Sequence, residues 1–108
     1  MNGVELIAAE RERQQRVEGW TPEHDDEHRQ SEMSSAALAY GSAANRLIRY
    51  GMNLSAEERR GALKWIPNDW PLGWESGWWK PSDDPIRNLV KAGALIAAEI
   101  DRLQRISK

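Results

Sequence analysis

The chain has 108 residues, 40% apolar and 30% charged, which describes one soluble globular domain spanning residues 1–108 and excludes a disordered chain. Its net charge of -2 argues against duplex nucleic acid as a partner, and the absence of cysteine removes disulfides, thiolate metal sites and cysteine nucleophiles. No apolar run reaches the roughly 18 residues of a bilayer span, and charges interrupt residues 1–20 where a signal peptide would be apolar, so the expected setting is the cytoplasm, with no membrane partner.

The expected elements are all helical, about four in number. Val4 to Glu18 lack Gly and Pro and are rich in Ala, Glu, Arg and Gln. Their apolar stripe (Val4, Ile7, Ala8, Val17) is thin, so this helix is expected on the surface of the bundle, ended by Gly19. A long second helix is expected to start in the acidic stretch Glu23-His24-Asp25-Asp26-Glu27-His28. It continues through Met33, Ala36, Ala37, Tyr40, Ala44, Leu47 and Ile48, which recur at three- and four-residue spacing as one buried face. Gly41 and the neighbouring Ala and Ser imply a close helix approach, and Gly51 ends the helix. Ser55-Ala56-Glu57-Glu58 reads as a capping box that opens a short helix to about Trp65. Residues 67–81 carry too many Pro and Gly for a regular element, yet hold Trp70, Trp74, Trp78 and Trp79. Asp84-Pro85 opens the last helix as N-cap and first-turn proline. Its stripe is Ile86, Leu89, Val90, Gly93, Ile96, Ala97, Ile100 and Leu103, expected to pack antiparallel on the second helix. Because Ala92 to Ala98 is apolar all round, self-association is also expected, as a dimer.

Three groups of residues could carry chemistry. Both histidines lie in the acidic run, and on a continuous helix Asp25, His28 and Glu32 share a face. Imidazole with carboxylates suits a divalent cation such as Mg²⁺ or Mn²⁺, so His24, Asp25, His28 and Glu32 are candidate metal ligands. The plainer account is an acidic helix start with solvated histidines. In the loop, Trp74, Trp78 and Trp79 are candidates to stack on a base, with Lys80 beside them for a phosphate. Most of these tryptophans also suit a core that lacks Phe. Arg87 and Lys91, one turn apart at the start of the last helix, supply further phosphate contacts. The basic group Arg46, Arg49, Arg59, Arg60 and Lys64 reads as a solvated face, too small for duplex binding.

Gly19-Trp20-Thr21-Pro22-Glu23-His24-Asp25-Asp26, then His28 and Glu32, then Trp78-Trp79-Lys80-Pro81, and Leu89-Val90-Lys91-Ala92-Gly93-Ala94-Leu95-Ile96-Ala97-Ala98-Glu99-Ile100 resemble a widespread group of small helical phage and prophage proteins. The resemblance covers both ends of the chain but not residues 42–68. More distantly, the chain is similar to the MazG-like all-α nucleoside triphosphate pyrophosphohydrolases. There, two central helices hold Mg²⁺ through Glu-x-x-Glu and Glu-x-x-Asp. Here Glu32 has Ser35 as its i+3 partner, and Asn88 and Lys91 stand where acids are wanted. The resemblance therefore implies a nucleotide pocket more than hydrolysis. The expected function is a phage-encoded binding protein of the host cytoplasm that captures a nucleotide, another phosphate-bearing ligand or a host-defence protein. The alternative is a Mg²⁺-dependent pyrophosphohydrolase.

Overall fold

The structure is a computed structural model that describes residues 1–26 and 31–107, and all regular elements among them are helical. Helix α1 spans Gly3–Arg16, α2 Pro22–Asp26, α3 Glu32–Arg46, α4 Ala56–Ala62 and α5 Pro85–Ile106. A π-helical turn, Leu47–Gly51, extends α3, and a 3₁₀ turn covers Ser76–Trp78 in the tryptophan loop. The all-α bundle expected from the sequence is thus the architecture observed.

Local chemistry sets most boundaries. Ser55 Oγ accepts from the Glu58 amide at 3.2 Å while Glu58 accepts from the Ser55 amide at 3.1 Å, completing the expected capping box. Asp84 accepts from the Ile86 amide at 2.9 Å ahead of Pro85. A second box, between Asn2 and Glu5, starts α1. Gly19, at φ 74°, takes the left-handed conformation that turns the chain after α1.

The core lies between α3 and α5. Ala36, Ala37, Ala39, Ala43 and Ala44 of α3 are buried, as are Ala92, Ala94 and Ala98 of α5. Small residues on both sides let the two backbones come close, and Met33, Tyr40, Leu95 and Trp70 fill the remaining space. The pairing is antiparallel: Lys91 sits over the Tyr40 ring, while Glu32 at the other end of α3 acts on Arg102. Leu47, Leu63 and Ala43 form a smaller cluster, bridged to the main one by Trp79.

Four expectations are corrected. The second helix is not continuous: Ser31, at φ 64°, is left-handed, so α2 and α3 are separate. The angle of α2 is set by ion pairs to α1 and α5 instead, Arg11–Asp25 and Arg105–Asp26, both 2.7 Å. Ile48 is exposed although Leu47 is buried, because the π turn adds a residue per turn and rotates the stripe out of register. A Cβ at Gly41 would meet nothing within 4 Å; the close approach is at Gly93, where a Cβ would stand 2.5 Å from Ile7 Cδ1. Finally, the face of α5 toward the core carries Asn88, Ala92, Leu95, Glu99 and Arg102, all buried, while Ile96 is 49% exposed. The polar members are satisfied where they lie: Asn88 exchanges two hydrogen bonds with the Ser82 backbone, and Arg102 pairs with Glu99.

Candidate functional site

The tryptophan loop is built from consecutive turns. The amide of Trp70 donates to the Pro67 carbonyl, that of Trp74 to Pro71 and that of Trp78 to Glu75, at 3.0, 3.2 and 3.1 Å. Each four-residue step ends on a tryptophan, so Trp70, Trp74 and Trp78 follow one another along one side of the loop. Their rings meet edge to face: 5.5 Å separates the centroids of Trp70 and Trp74, and 6.1 Å those of Trp74 and Trp78. Tyr40 of α3 extends the series, 6.2 Å from Trp70.

These rings wall a cavity of about 400 Å³, within the size range of small-molecule sites. Glu10, Arg13 and Gln14 enter it from α1, Met33 and Tyr40 from α3, Lys91 and Leu95 from α5, and Lys80 from the loop, with Glu18, Trp20 and Asp25 completing the wall. Positions 10, 13 and 14 lie on one face of α1, as do 33 and 40 on α3 and 91 and 95 on α5. Gln14 Oε1 and Trp70 Nε1 are buried with no hydrogen-bond partner in the described chain.

The electrostatics of the wall are uneven. Glu10 accepts from Arg13 and Arg87 at 2.8 and 2.7 Å. Burial pushes its carboxyl up, but the bonds and charges of the two arginines outweigh that and leave it below its ordinary value. Glu18 is paired with Arg13 at 2.8 Å and Asp25 with Arg11 at 2.7 Å. Lys80 and Lys91, by contrast, enter no ion pair among the described residues. Lys91 Nζ donates to the Lys80 carbonyl at 2.9 Å and lies 5.3 Å from the Tyr40 centroid. Burial, with the nearby Arg87 charge, lowers its ammonium below the ordinary lysine value.

Of the candidate site residues singled out in the sequence, Asp25, Trp74, Trp78, Lys80 and Lys91 line this cavity. Trp79 does not: it is half-buried between the two core clusters and donates through Nε1 to the Trp65 carbonyl at 3.1 Å. Arg87 stands behind the wall and reaches it through Glu10. Of the metal candidates, Asp25 is fully buried against Arg11 and Glu32 opens α3. His28 lies outside the described residues, as does the side chain of His24. No three His, Asp or Glu side chains are grouped to hold a metal ion among the described residues. No helix among them is long and apolar enough to cross a membrane.

Sequence reading missed the α1 contribution. Glu10, Arg11 and Gln14 are buried while Val4 and Val17 are exposed, the reverse of a surface helix anchored by its apolar stripe. The available signal was the thinness of that stripe beside a polar face spaced at three and four residues. Trp20, Tyr40 and Trp70 also belong to the wall, and the four-residue spacing of Trp70, Trp74 and Trp78 marks the repeated turn. Compared with known proteins, the chain matches no family model, no curated protein and no solved structure.

Proposed function

We propose that the chain captures a nucleotide in the tryptophan cavity and does not hydrolyse it. The observation that carries this reading is the split between the charges of the wall. Its carboxylates Glu10, Glu18 and Asp25 are each held by an arginine, whereas Lys80 and Lys91 have no carboxylate partner among the described residues. A wall of that kind favours an anionic group, and the rings beside it offer faces for a base, each stacked base being worth about 1 to 3 kcal/mol. A quaternary ammonium ion, which aromatic cages also take, is disfavoured here by the like charge of Lys80 and Lys91. Capture is favoured over turnover because Glu10 and Asp25 are committed to arginines, and Asn88, which stands where the resemblance to the pyrophosphohydrolases wants an acid, is tied to Ser82. Withholding a nucleotide from a host defence response is the role this activity would give a phage protein.

Tryptophan fluorescence tests the reading. Titration with nucleoside mono-, di- and triphosphates, with and without Mg²⁺ or Mn²⁺, should give saturable quenching by at least one of them, with the nucleotide recovered intact by chromatography. Lys91→Ala should weaken that binding about tenfold, the loss of one charge-assisted contact. Absence of quenching by every nucleotide would sink the capture reading, and release of pyrophosphate would replace it with the enzymatic one.

A further inference from the structure

Helix α5 has a third side that the chain leaves open. α3 covers one flank through Ala92, Leu95 and Ala98, and α1 reaches another through Ile7 at Gly93 and Glu10 at Arg87. Between them Ile86, Leu89, Ile96, Ile100 and Leu103 remain between 46% and 59% exposed. With Gly93 they repeat at alternating steps of three and four, the spacing of a helix-pairing seam. Five half-exposed aliphatic side chains present on the order of 450 Å² of apolar surface, so a pair of copies would bury about 900 Å² before Ile7 or Ile106 is counted, close to the ~1,000 Å² of a specific interface.

We infer that this seam is the contact between two copies of the chain, with their α5 helices antiparallel about a two-fold axis. The surface relief supports the orientation. Ile86 is the most exposed of the five at 59%, and at the opposite end Ile100, Leu103, Gln104 and Ser107 surround a shallow depression. A two-fold axis through the middle of the seam seats Ile86 of one copy in that depression of the other. It sets Leu89 against Ile100 of the second copy and places Ile96 against Ile7, which covers Gly93. In this orientation the helix dipoles also oppose. A parallel pairing would leave the depression unfilled and set like ends together. The contact is independent of the cavity, whose Lys91 stands on another side of α5 and whose Lys80 comes from the loop.

Light scattering and cysteine cross-linking of the full chain decide it. Wild-type protein at micromolar concentration should have about twice the 12.3 kDa chain mass, and Leu89→Glu with Ile100→Glu should give single chains with an unchanged helical circular dichroism spectrum. The natural chain has no cysteine, so introduced thiols report alone. Leu89→Cys combined with Ile100→Cys should cross-link to a covalent dimer under mild oxidation, and Leu89→Cys alone should not. A wild-type mass of one chain overturns the proposal and leaves the seam to a different protein; retention of the wild-type mass by the double Glu variant overturns it as well. Should that variant fail to fold, the cysteine pairs still decide, because efficient cross-linking of Leu89→Cys alone overturns the antiparallel contact.

Discussion

Glu10 of α1 accepts a hydrogen bond from Arg87 of α5 at 2.7 Å, although 77 positions separate them in the chain. The same carboxylate holds Arg13 and accepts from Gln14 Nε2 at 3.3 Å. One buried group therefore anchors the polar face of α1, orients the cavity wall and joins the first helix to the last. Its neutralisation by two arginines also leaves Lys80 and Lys91, which enter no ion pair among the described residues, to act on a ligand.

Replacing Arg87 by Ala should destabilise the fold by about 1 to 2 kcal/mol in urea denaturation. Bonds to charged groups are worth about 1.5 to 3 kcal/mol, and the figure is reduced here because the arginine is partly exposed. The nucleotide should also bind less tightly, since Glu10 would then be compensated by Arg13 alone.

The acid limb of stability follows from Glu10. Its folded pKa lies below the ordinary 4.5, so the unfolded chain takes up the proton first as pH falls. The stabilising contribution is fully present above 4.5 and is lost as pH drops through the lower folded value. Denaturant midpoints measured from pH 6 down to pH 3 should show this loss in the parent and a smaller one in Glu10→Gln.

Asp25→Ala should be far more costly than a surface change, about 3 to 5 kcal/mol, because it leaves the buried Arg11 without its carboxylate. Arg11 Nε and Nη1 already lack partners among the described residues. Thermal unfolding with and without Mg²⁺ checks the origin of the effect: the loss should be the same in both.

At Gly93 two effects oppose. Alanine gains about 1 kcal/mol of helix propensity but meets Ile7 Cδ1, and overpacking costs about 1 to 3 kcal/mol. Gly93→Ala should therefore be neutral to mildly destabilising in the parent, and stabilising once Ile7→Ala has cleared the space. A double-mutant cycle should return a coupling of about 1 kcal/mol.

Nucleotide affinity should fall as the solution becomes alkaline. Lys91 loses its proton below the ordinary lysine value of 10.5, and the anion is held by the protonated form. Fluorescence titrations between pH 7 and pH 10 should show the decline, while Lys91→Arg should hold its affinity across the range because a guanidinium stays charged.

Much of this protein is written locally. Ser55 with Glu58, Asp84 with Pro85, and Gly19 set their boundaries through bonds within a few residues, and the small-residue stripe of α3 marks its buried face as far as Leu47. The loop tryptophans and Lys91 likewise stand out as candidate contacts by type alone. Which faces of α1 and α5 turn inward was settled only by tertiary pairing. Apolar spacing favoured burying Ile86, Leu89, Ile96, Ile100 and Leu103, yet the chain buries Asn88, Glu99 and Arg102 on α5 and Glu10, Arg11 and Gln14 on α1. Each of those side chains finds a partner, two of them far away in sequence in the pairs Glu10–Arg87 and Arg11–Asp25, which offsets much of the desolvation penalty that a local reading assigns them. Periodicity locates an apolar face; whether the core of the same chain covers it depends on which helix arrives there first and how closely alanine lets it pack.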